Sequence, residues 1–245
     1  MKKEMLVDQS YWDNSYREIA PFLQPPADAL STWLREHLKP VSGKDCIEIG
    51  CYPGRYLSLL GEMGYTLNGL DLTPGIDSMK QVFAQKFKTG EFTRADFLQY
   101  KPTSQYALVA SFGFIEHFDD WATVLRRHAD MVEPGGMIVI ETPNFRGSVQ
   151  RRLHRWLDAE NLKRHNLDAM QPDKWAMVLS AMGFEIMWSG YFGRFEFWHD
   201  SRHHHFFQRL LLRMVRKISP ILKRRNPGSA SLSPYAGIIA IKRSA

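Results

Sequence analysis

The chain has 245 residues, of which 44% are hydrophobic and 24% charged, and this composition excludes a disordered or fibrous protein and favours one substantial core. No apolar run reaches the roughly 18 residues that a membrane span needs, and polar and acidic residues follow the Met-Lys-Lys start, so we expect neither a span nor a signal peptide. Only two cysteines are present, Cys46 and Cys51, which excludes a disulfide framework. We therefore expect a cytoplasmic protein with reduced thiols.

The N-terminal residues 1–40 are predicted to form a helical cap. Aromatic and charged residues mix from Tyr11 to Ala20, and the prolines at 25 and 26 then force the chain out of helical geometry. Residues 27–38 carry apolar side chains at helical spacing. This segment is therefore expected to be an amphipathic helix that packs on the core.

The most informative stretch lies between residues 44 and 72. It predicts a strand at Cys46 to Ile49, a glycine turn from Gly50 to Gly54, a helix from Arg55 to Met63, and a second strand from Leu67 to Leu70 that ends at Asp71. Glycines let the backbone turn with positive φ and let a ligand approach the amides. An acid at the end of the next strand can accept both hydroxyls of a ribose. The unit therefore predicts a cofactor that contains a nucleoside.

The positions of the glycines distinguish between nucleoside cofactors. A dinucleotide fingerprint would need glycine at 50, 52 and 55, but the chain has Tyr52 and Arg55, which disfavours NAD. The stretch instead resembles motif I of the class I S-adenosylmethionine-dependent methyltransferases, with Glu48, Gly50 and Gly54 in place and Tyr52 where a glycine usually lies. It is similar to the ubiquinone-pathway methyltransferase-like group, and the resemblance covers about residues 40–145.

The resemblance implies a site for S-adenosylmethionine along the carboxyl ends of the strands. The glycine turn would hold the methionine end and the acid at 71 the ribose, and the acid at 96 would lie near the adenine amino group unless it is only a surface acid. The implied cofactor-binding residues are Glu48, Gly50, Cys51, Tyr52, Gly54, Asp71, Leu72, Asp96, Phe97, Ser111 and Phe112. Tyr11 and Trp12 would either form a lid over the pocket or pack as a surface pair.

The remaining elements complete an α/β fold. The sequence predicts helices at 76–88, 121–131 and 172–182 and strands at 92–95, 106–110, 137–141, 183–188 and 235–242. We expect a Rossmann-like, seven-stranded, mostly parallel sheet with helices on both faces, an antiparallel last strand and a helical insertion before it. The expected division is a cap at 1–40, a core at 41–190, an aromatic and basic insertion at 191–234, and the final strand at 235–245.

Glu116 and His117 are the candidate catalytic residues, because methylation of an oxygen or nitrogen nucleophile benefits from a base at the end of strand four. The alternative is that His117 only packs. The similar ubiquinone-pathway enzymes hold a metal with an extra acid three residues earlier, where this chain has Gly113, so we expect no metal. Three consecutive histidines at 203–205 cannot all face one ion on a helix, which favours a solvated or substrate-facing cluster.

Residues 206–222 are predicted to form a helix with an apolar stripe, and the whole segment 206–225 includes seven basic residues, all between 209 and 225, and no acid. The favoured interpretation is a core or cap helix that covers the sheet with its stripe, and the alternative is contact with a membrane surface. Nucleic acid is disfavoured because few aromatic residues interleave with the basic ones.

Together these features predict an enzyme that transfers a methyl group from S-adenosylmethionine to an oxygen or nitrogen of a small-molecule acceptor, such as a sugar, a lipid or a natural product. The alternatives are a non-catalytic S-adenosylmethionine-binding protein and a peripheral membrane-associated protein.

Overall fold

A computed structural model of the chain describes residues 5–200, 205–224 and 228–244. The strands are β1 (Asp45–Ile49), β2 (Thr66–Asp71), β3 (Thr89–Arg94), β4 (Tyr106–Phe112), β5 (Val132–Pro143), β6 (Phe184–Phe192) and β7 (Tyr235–Lys242). The helices are α1 (Gln9–Tyr16), α2 (Ala29–His37), α3 (Leu57–Glu62), α4 (Ile76–Phe83), α5 (Trp121–Asp130), α6 (Ser148–Leu157), α7 (Ala159–Lys163), α8 (Pro172–Ala181) and α9 (Phe206–Lys223).

The seven strands form one sheet in the order β3-β2-β1-β4-β5-β7-β6. Strands β1 to β5 pair in parallel, and β7 runs antiparallel to both of its neighbours, β5 and β6. The predicted fold class is therefore confirmed, including the antiparallel last strand and the helix that precedes it. Because the parallel strands end at one edge, the side chains that follow β1, β2, β4 and β5 are brought together there.

Alternating side chains on the central strands supply the two faces of the core. On β4, Val109 packs with the helices α5 and α8 on one face, while Leu108 packs with α2, α3 and α4 on the other. Trp175 of α8 is completely buried, and its indole Nε1 donates to the carbonyl of Ala169 at 2.7 Å. Both faces are thus covered, as the nearly continuous apolar sequence of these strands predicts.

Some element boundaries differ from those predicted. The helix expected to reach residue 88 ends at Phe83, because Phe87 folds back over Gly61, where an added Cβ would lie 2.5 Å from the Phe87 ring. The third strand consequently starts at Thr89, three residues earlier than predicted. Strand β5 already begins at Val132, since the Pro-Gly-Gly segment forms an irregularity within the strand and not a separate turn.

The insertion before the last strand differs most from the expectation. Its helix α9 is present, but the prediction that its apolar stripe covers the sheet is wrong. Only Leu212 of this helix is buried, and much of the stripe faces solvent. His203, His204 and Arg225 lie outside the described residues, while His205 precedes α9 and is exposed. Within the described ranges, no helix is both long and apolar enough to cross a membrane.

Candidate active site

Two clefts open at the carboxyl edge of the parallel strands. The first, with about 730 Å³ of open space, lies over the ends of β1, β2 and β3, and the second, with about 1780 Å³, extends toward β4, β5 and the loops beyond them. Both are lined by Gly50, Tyr52, Phe112, Gly113 and His117, so they meet above the glycine turn. A bound molecule in one cleft would therefore touch a molecule in the other at this junction.

The glycine turn is built from two positions that only glycine can occupy. Gly50 has φ +71°, and a Cβ there would lie 2.6 Å from the Phe114 ring. Gly54 has φ +87°, and a Cβ there would lie 2.5 Å from side-chain atoms of Met79 and Phe83. Because Gly50 has no side chain, the floor of both clefts stays open. Because Gly54 has none, the turn can pack closely on α4.

Tyr52 occupies the position where motif I usually has a glycine. Its backbone amide donates to Asp71 Oδ2 at 2.9 Å, so the amide positions the acid. Its side chain crosses over Gly75, where a Cβ would lie 2.4 Å from the ring, and its hydroxyl donates to the carbonyl of Ile19. The tyrosine therefore leaves the turn open and uses its ring to attach the N-terminal segment to it.

Asp71, at the end of β2, is held by backbone amides on both carboxylate oxygens. Oδ1 accepts from the Thr73 amide at 2.7 Å and Oδ2 from the Tyr52 amide at 2.9 Å. Burial raises the pKa of Asp71, while these amides act in the opposite direction. Each oxygen keeps a second lone pair for another donor. The geometry thus fits a ligand with two neighbouring hydroxyls, as a ribose has.

The third strand leads into the inner end of the first cleft. Asp96 fixes the loop there, because its Oδ1 accepts from the Leu98 amide at 2.9 Å. The ring of Phe97 packs against Phe114 and His128, with centroid distances of 5.6 and 4.5 Å. Asp96 and Phe97 both line the first cleft, which provides a flat apolar wall beside an acid.

The structure brings nearly all of the predicted cofactor residues to these clefts. Those lining the first are Gly50, Tyr52, Asp71, Leu72, Asp96, Phe97 and Phe112, and the second adds Glu48, Cys51 and Gly54. Ser111 is the exception, because it is fully buried within β4 and lines neither cleft. It was predicted to follow the strand, but the strand, expected to end at Ala110, continues two residues further, to Phe112.

Helix α1 covers the junction of the clefts. The indole of Trp12 lies edge-on to His117 with ring centroids 5.0 Å apart. The hydroxyl of Tyr11 donates to Asp200 at 2.7 Å, and Arg164 lies over the Tyr11 ring at 4.3 Å while its guanidinium donates to Asp200 at 2.7 Å. This position agrees with the expected lid, and Tyr11 fastens α1 to two distant segments, one at Arg164 and one at Asp200.

Glu116 and His117 form a short 3-10 turn after β4, beside the junction. Neither carboxylate oxygen of Glu116 has a hydrogen-bond partner among the described residues, and burial raises its pKa to about 8. Burial lowers the pKa of His117 to about 4. The Nδ1 of His117 lies 3.0 Å from the Arg164 carbonyl, which can only accept, so Nδ1 carries the proton and Nε2 has a free lone pair.

A third group, His165, joins this pair from the segment after α7. Its ring centroid is 4.7 Å from that of His117, and its Nδ1 lies 2.7 Å from the Asn161 carbonyl. Ligand atoms of Glu116, His117 and His165 all fall within 4.8 Å of one another. Their spacing would allow the three side chains to bind a metal ion, and the expectation of no metal, which was based on Gly113, stays a prediction.

Several residues of the second cleft were not predicted. Glu141 is buried at the end of β5, where burial and the neighbouring Glu116 raise its pKa, and the rule of strand ends could have identified it. Arg164, Trp198 and Asp200 also line this cleft. They come from irregular segments after β5 and β6, and no local pattern in the sequence marks them.

Comparison with known proteins agrees with this fold. A profile of the methyltransferase domain family matches residues 16–189. The chain is 31% identical over 122 residues to a ubiquinone biosynthesis O-methyltransferase from Albidiferax ferrireducens, with 46% of each chain covered. It is 23% identical over 137 residues to the protein of the same name from Acinetobacter baylyi, with 54% of this chain and 57% of the relative covered. The chain thus spans about half the length of the curated relatives it matches.

Solved structures share the fold at low sequence identity. A SAM dependent methyltransferase from Archaeoglobus fulgidus superposes with a TM-score of 0.56 at 22% identity, over 87% of this chain and 93% of the other. The N-methyltransferase NodS from Bradyrhizobium japonicum superposes with a TM-score of 0.54 at 15% identity, over 87% and 85%. The profile match, which spans most of the chain, shows that the protein belongs to the methyltransferase domain family, in agreement with the resemblance of its glycine turn to the class I S-adenosylmethionine-dependent methyltransferases.

Proposed function

We propose that this protein transfers a methyl group from S-adenosylmethionine, held in the first cleft, to an oxygen or nitrogen of a small molecule in the second. The observation that carries the proposal is the junction of the clefts, where His117 lies with a free Nε2 beside a buried carboxyl group. A nucleophile at this point would meet a methyl group presented from the floor of the glycine turn. Such alignment supplies much of the acceleration in a displacement reaction.

The residues of the first cleft fit the proposed cofactor. Asp71 would accept the ribose hydroxyls with its remaining lone pairs, and Asp96 and Phe97 would contact the adenine. Glu48 and the turn from 50 to 54 would face the methionine end. When bound, S-adenosylmethionine supplies a methyl group that its sulfonium already activates. The protein therefore has to orient the partners and exclude water more than to activate the donor.

His117 is the proposed acceptor of the proton that the nucleophile loses. Its low pKa keeps it neutral at pH 7, and the bond to the Arg164 carbonyl directs the lone pair of Nε2 away from the backbone. Glu116 Oε1 lies 3.8 Å from Nε2, and above its raised pKa of about 8 the Glu116 carboxylate would stabilise the imidazolium. Helix α1 would then keep bulk water from the junction.

An oxygen nucleophile is the better supported of the two. The curated relatives are named O-methyltransferases of ubiquinone biosynthesis, which supports oxygen as the methylated atom here.

We also propose that residues 1–40 act as a cap and 191–234 as an insertion on the acceptor side. Residues 41–190 and 235–245 would form the catalytic core.

The test is a transfer assay with S-adenosylmethionine labelled in its methyl group and a panel of phenols, catechols, carboxylates and primary amines. The expected result is label in at least one oxygen acceptor, with kcat reduced by about 10²-fold or more in His117→Ala. His37→Ala is the matched control, because this histidine lies on α2 and lines neither cleft. Equal activity of His117→Ala and the wild type would contradict the proposed role.

The non-catalytic alternative makes a separate prediction. A protein that only binds S-adenosylmethionine would bind S-adenosylhomocysteine in calorimetry but transfer no label to the panel or to fractionated small-molecule extracts. Binding of S-adenosylhomocysteine without transfer of the label would therefore favour this alternative. Absence of binding would contradict both the non-catalytic alternative and the proposed methyl transfer.

A further inference from the structure

Helix α9 exposes a row of large apolar side chains that no other described segment covers. Phe207 is 79% exposed, Leu210 45%, Met214 46%, Ile218 48% and Ile221 60%. Their spacing of three or four residues places them along one side of the helix. A row of this length extends over the whole helix and is unlike the scattered apolar residues that most surfaces carry.

The same helix already has an inner side that contacts the protein. Leu212 is buried, and Gln208 and Val215, which flank it on this side, are partly buried. The Nε2 of Gln208 donates to the Trp156 carbonyl of α6 at 2.9 Å. The exposed row therefore lies on a different side of α9 from the inner side, and α9 can stay attached to the domain while the exposed row contacts a partner.

Basic side chains border the exposed row. The helix and its C-cap contain Arg209, Arg213, Arg216, Lys217, Lys223 and Arg224, with no acid from 206 to 224. Neighbouring α6 adds the exposed Arg152 and Arg155 and an indole, Trp156, that is 67% exposed. The surface thus combines aliphatic and aromatic side chains with one sign of charge over two adjacent helices.

This chemistry distinguishes between possible occupants. A second copy of the chain would bring the arginine-rich sides of two helices together, and the like charges would repel each other. Single-stranded nucleic acid is bound largely by stacking of its bases on aromatic residues, whereas leucine, methionine and isoleucine dominate the exposed row. An anionic bilayer satisfies both features, since apolar side chains enter the acyl boundary while arginines meet the lipid phosphates.

We propose that the exposed row of α9, with Trp156 of α6, docks on the surface of an anionic lipid bilayer. The inference does not depend on methyl transfer. Docking would place the second cleft near the lipid, because α6 contacts both. Its Trp156 carbonyl accepts a hydrogen bond from Gln208 of α9, and its His154 ring lies 5.9 Å, centroid to centroid, from Trp198, which lines that cleft.

The test is co-sedimentation of the full chain with vesicles of phosphatidylcholine alone or with one quarter phosphatidylglycerol. We expect binding to the mixed vesicles, weaker binding to the neutral ones, and release by salt. Leu210→Gln with Ile218→Gln should reduce binding at least tenfold. Arg209→Gln with Arg213→Gln and Arg216→Gln should reduce it about 100-fold, since each charge contributes about fivefold.

Met177→Gln with Met187→Gln is the matched control, because these methionines are 73% and 55% exposed on α8 and β6. The control should bind mixed vesicles like the wild type. Calorimetry with S-adenosylhomocysteine, run on each variant, checks the first cleft separately, so failure of docking is distinct from failure of the proposed function. The proposal would be overturned if the α9 variants bound mixed vesicles as well as the wild type does. It would also be overturned if the wild type bound no vesicles or bound neutral and mixed vesicles equally, or if the wild type formed a dimer and the α9 variants were monomers.

Discussion

Replacing Asp71 with asparagine should weaken the binding of S-adenosylhomocysteine by about 30- to 150-fold, which corresponds to about 2–3 kcal/mol. In the wild type the two carboxylate oxygens accept the Tyr52 and Thr73 amides at 2.9 and 2.7 Å and keep one lone pair each for a ribose hydroxyl. Asparagine has only one oxygen, so its NH₂ group must face one of the two amides, donor against donor. The variant therefore loses a charge-assisted bond to the ligand and the geometry that positions the side chain.

The assay is isothermal calorimetry, with urea denaturation of each variant to separate ligand affinity from stability. The free energy of unfolding should itself fall by about 1–3 kcal/mol, the cost of one unpaired buried amide. Asp77→Asn on α4 removes the same charge from an acid whose side chain is 62% exposed, and it should leave both quantities unchanged. A folded Asp71→Asn protein whose dissociation constant stays within about threefold of the wild type would refute the assignment of the ribose to this acid.

Three further outcomes test the site and the fold around it. Glu116→Gln should lower kcat about tenfold or more in the labelled-methyl assay without weakening S-adenosylhomocysteine, because the carboxyl lines the second cleft and not the first. In urea denaturation, Gly54→Ala should lower the free energy of unfolding by about 1–3 kcal/mol more than Gly183→Ala does, since both glycines have positive φ but, of the two, Gly54 lacks room for a Cβ. Equal decreases in the free energy of unfolding would contradict this packing argument. Tyr11→Phe removes the hydrogen bond to Asp200 and should speed S-adenosylhomocysteine release about fivefold in stopped-flow fluorescence, whereas an unchanged rate would show that this bond does not hold α1 closed.

The site residues that the sequence predicts are those whose positions depend on a few neighbouring residues in the chain. Gly50 and Asp71 are recognisable because a positive-φ turn and a strand-end acid are both properties of a few consecutive residues. The direction of the Tyr52 side chain was not predictable in the same way. It depends on Gly75 leaving space for the ring and on the carbonyl of Ile19, which lies 33 residues away along the chain.

Longer-range partners explain the remaining differences. His165 follows His117 by 48 positions and reaches it only because α6 and α7 turn back over the strand ends, so no spacing rule could pair them. The amphipathic character of α9 was predicted, but not which side is covered. Its apolar surface is wide enough to divide into an inner part near Leu212 and an outer part, and only the tertiary structure determines that division.

The placement of β7 between β5 and β6 has a consequence for the protein during its synthesis. Every described residue that lines the first cleft precedes residue 119, whereas the lining of the second cleft includes Trp198, Asp200 and Tyr235. Among the strands that the structure describes, β6 pairs with β7 alone, so it stays unpaired until the following fifty residues have left the ribosome. A nascent chain therefore gains the wall of the first cleft before it completes the second, and β6 is an unpaired edge strand in the interval.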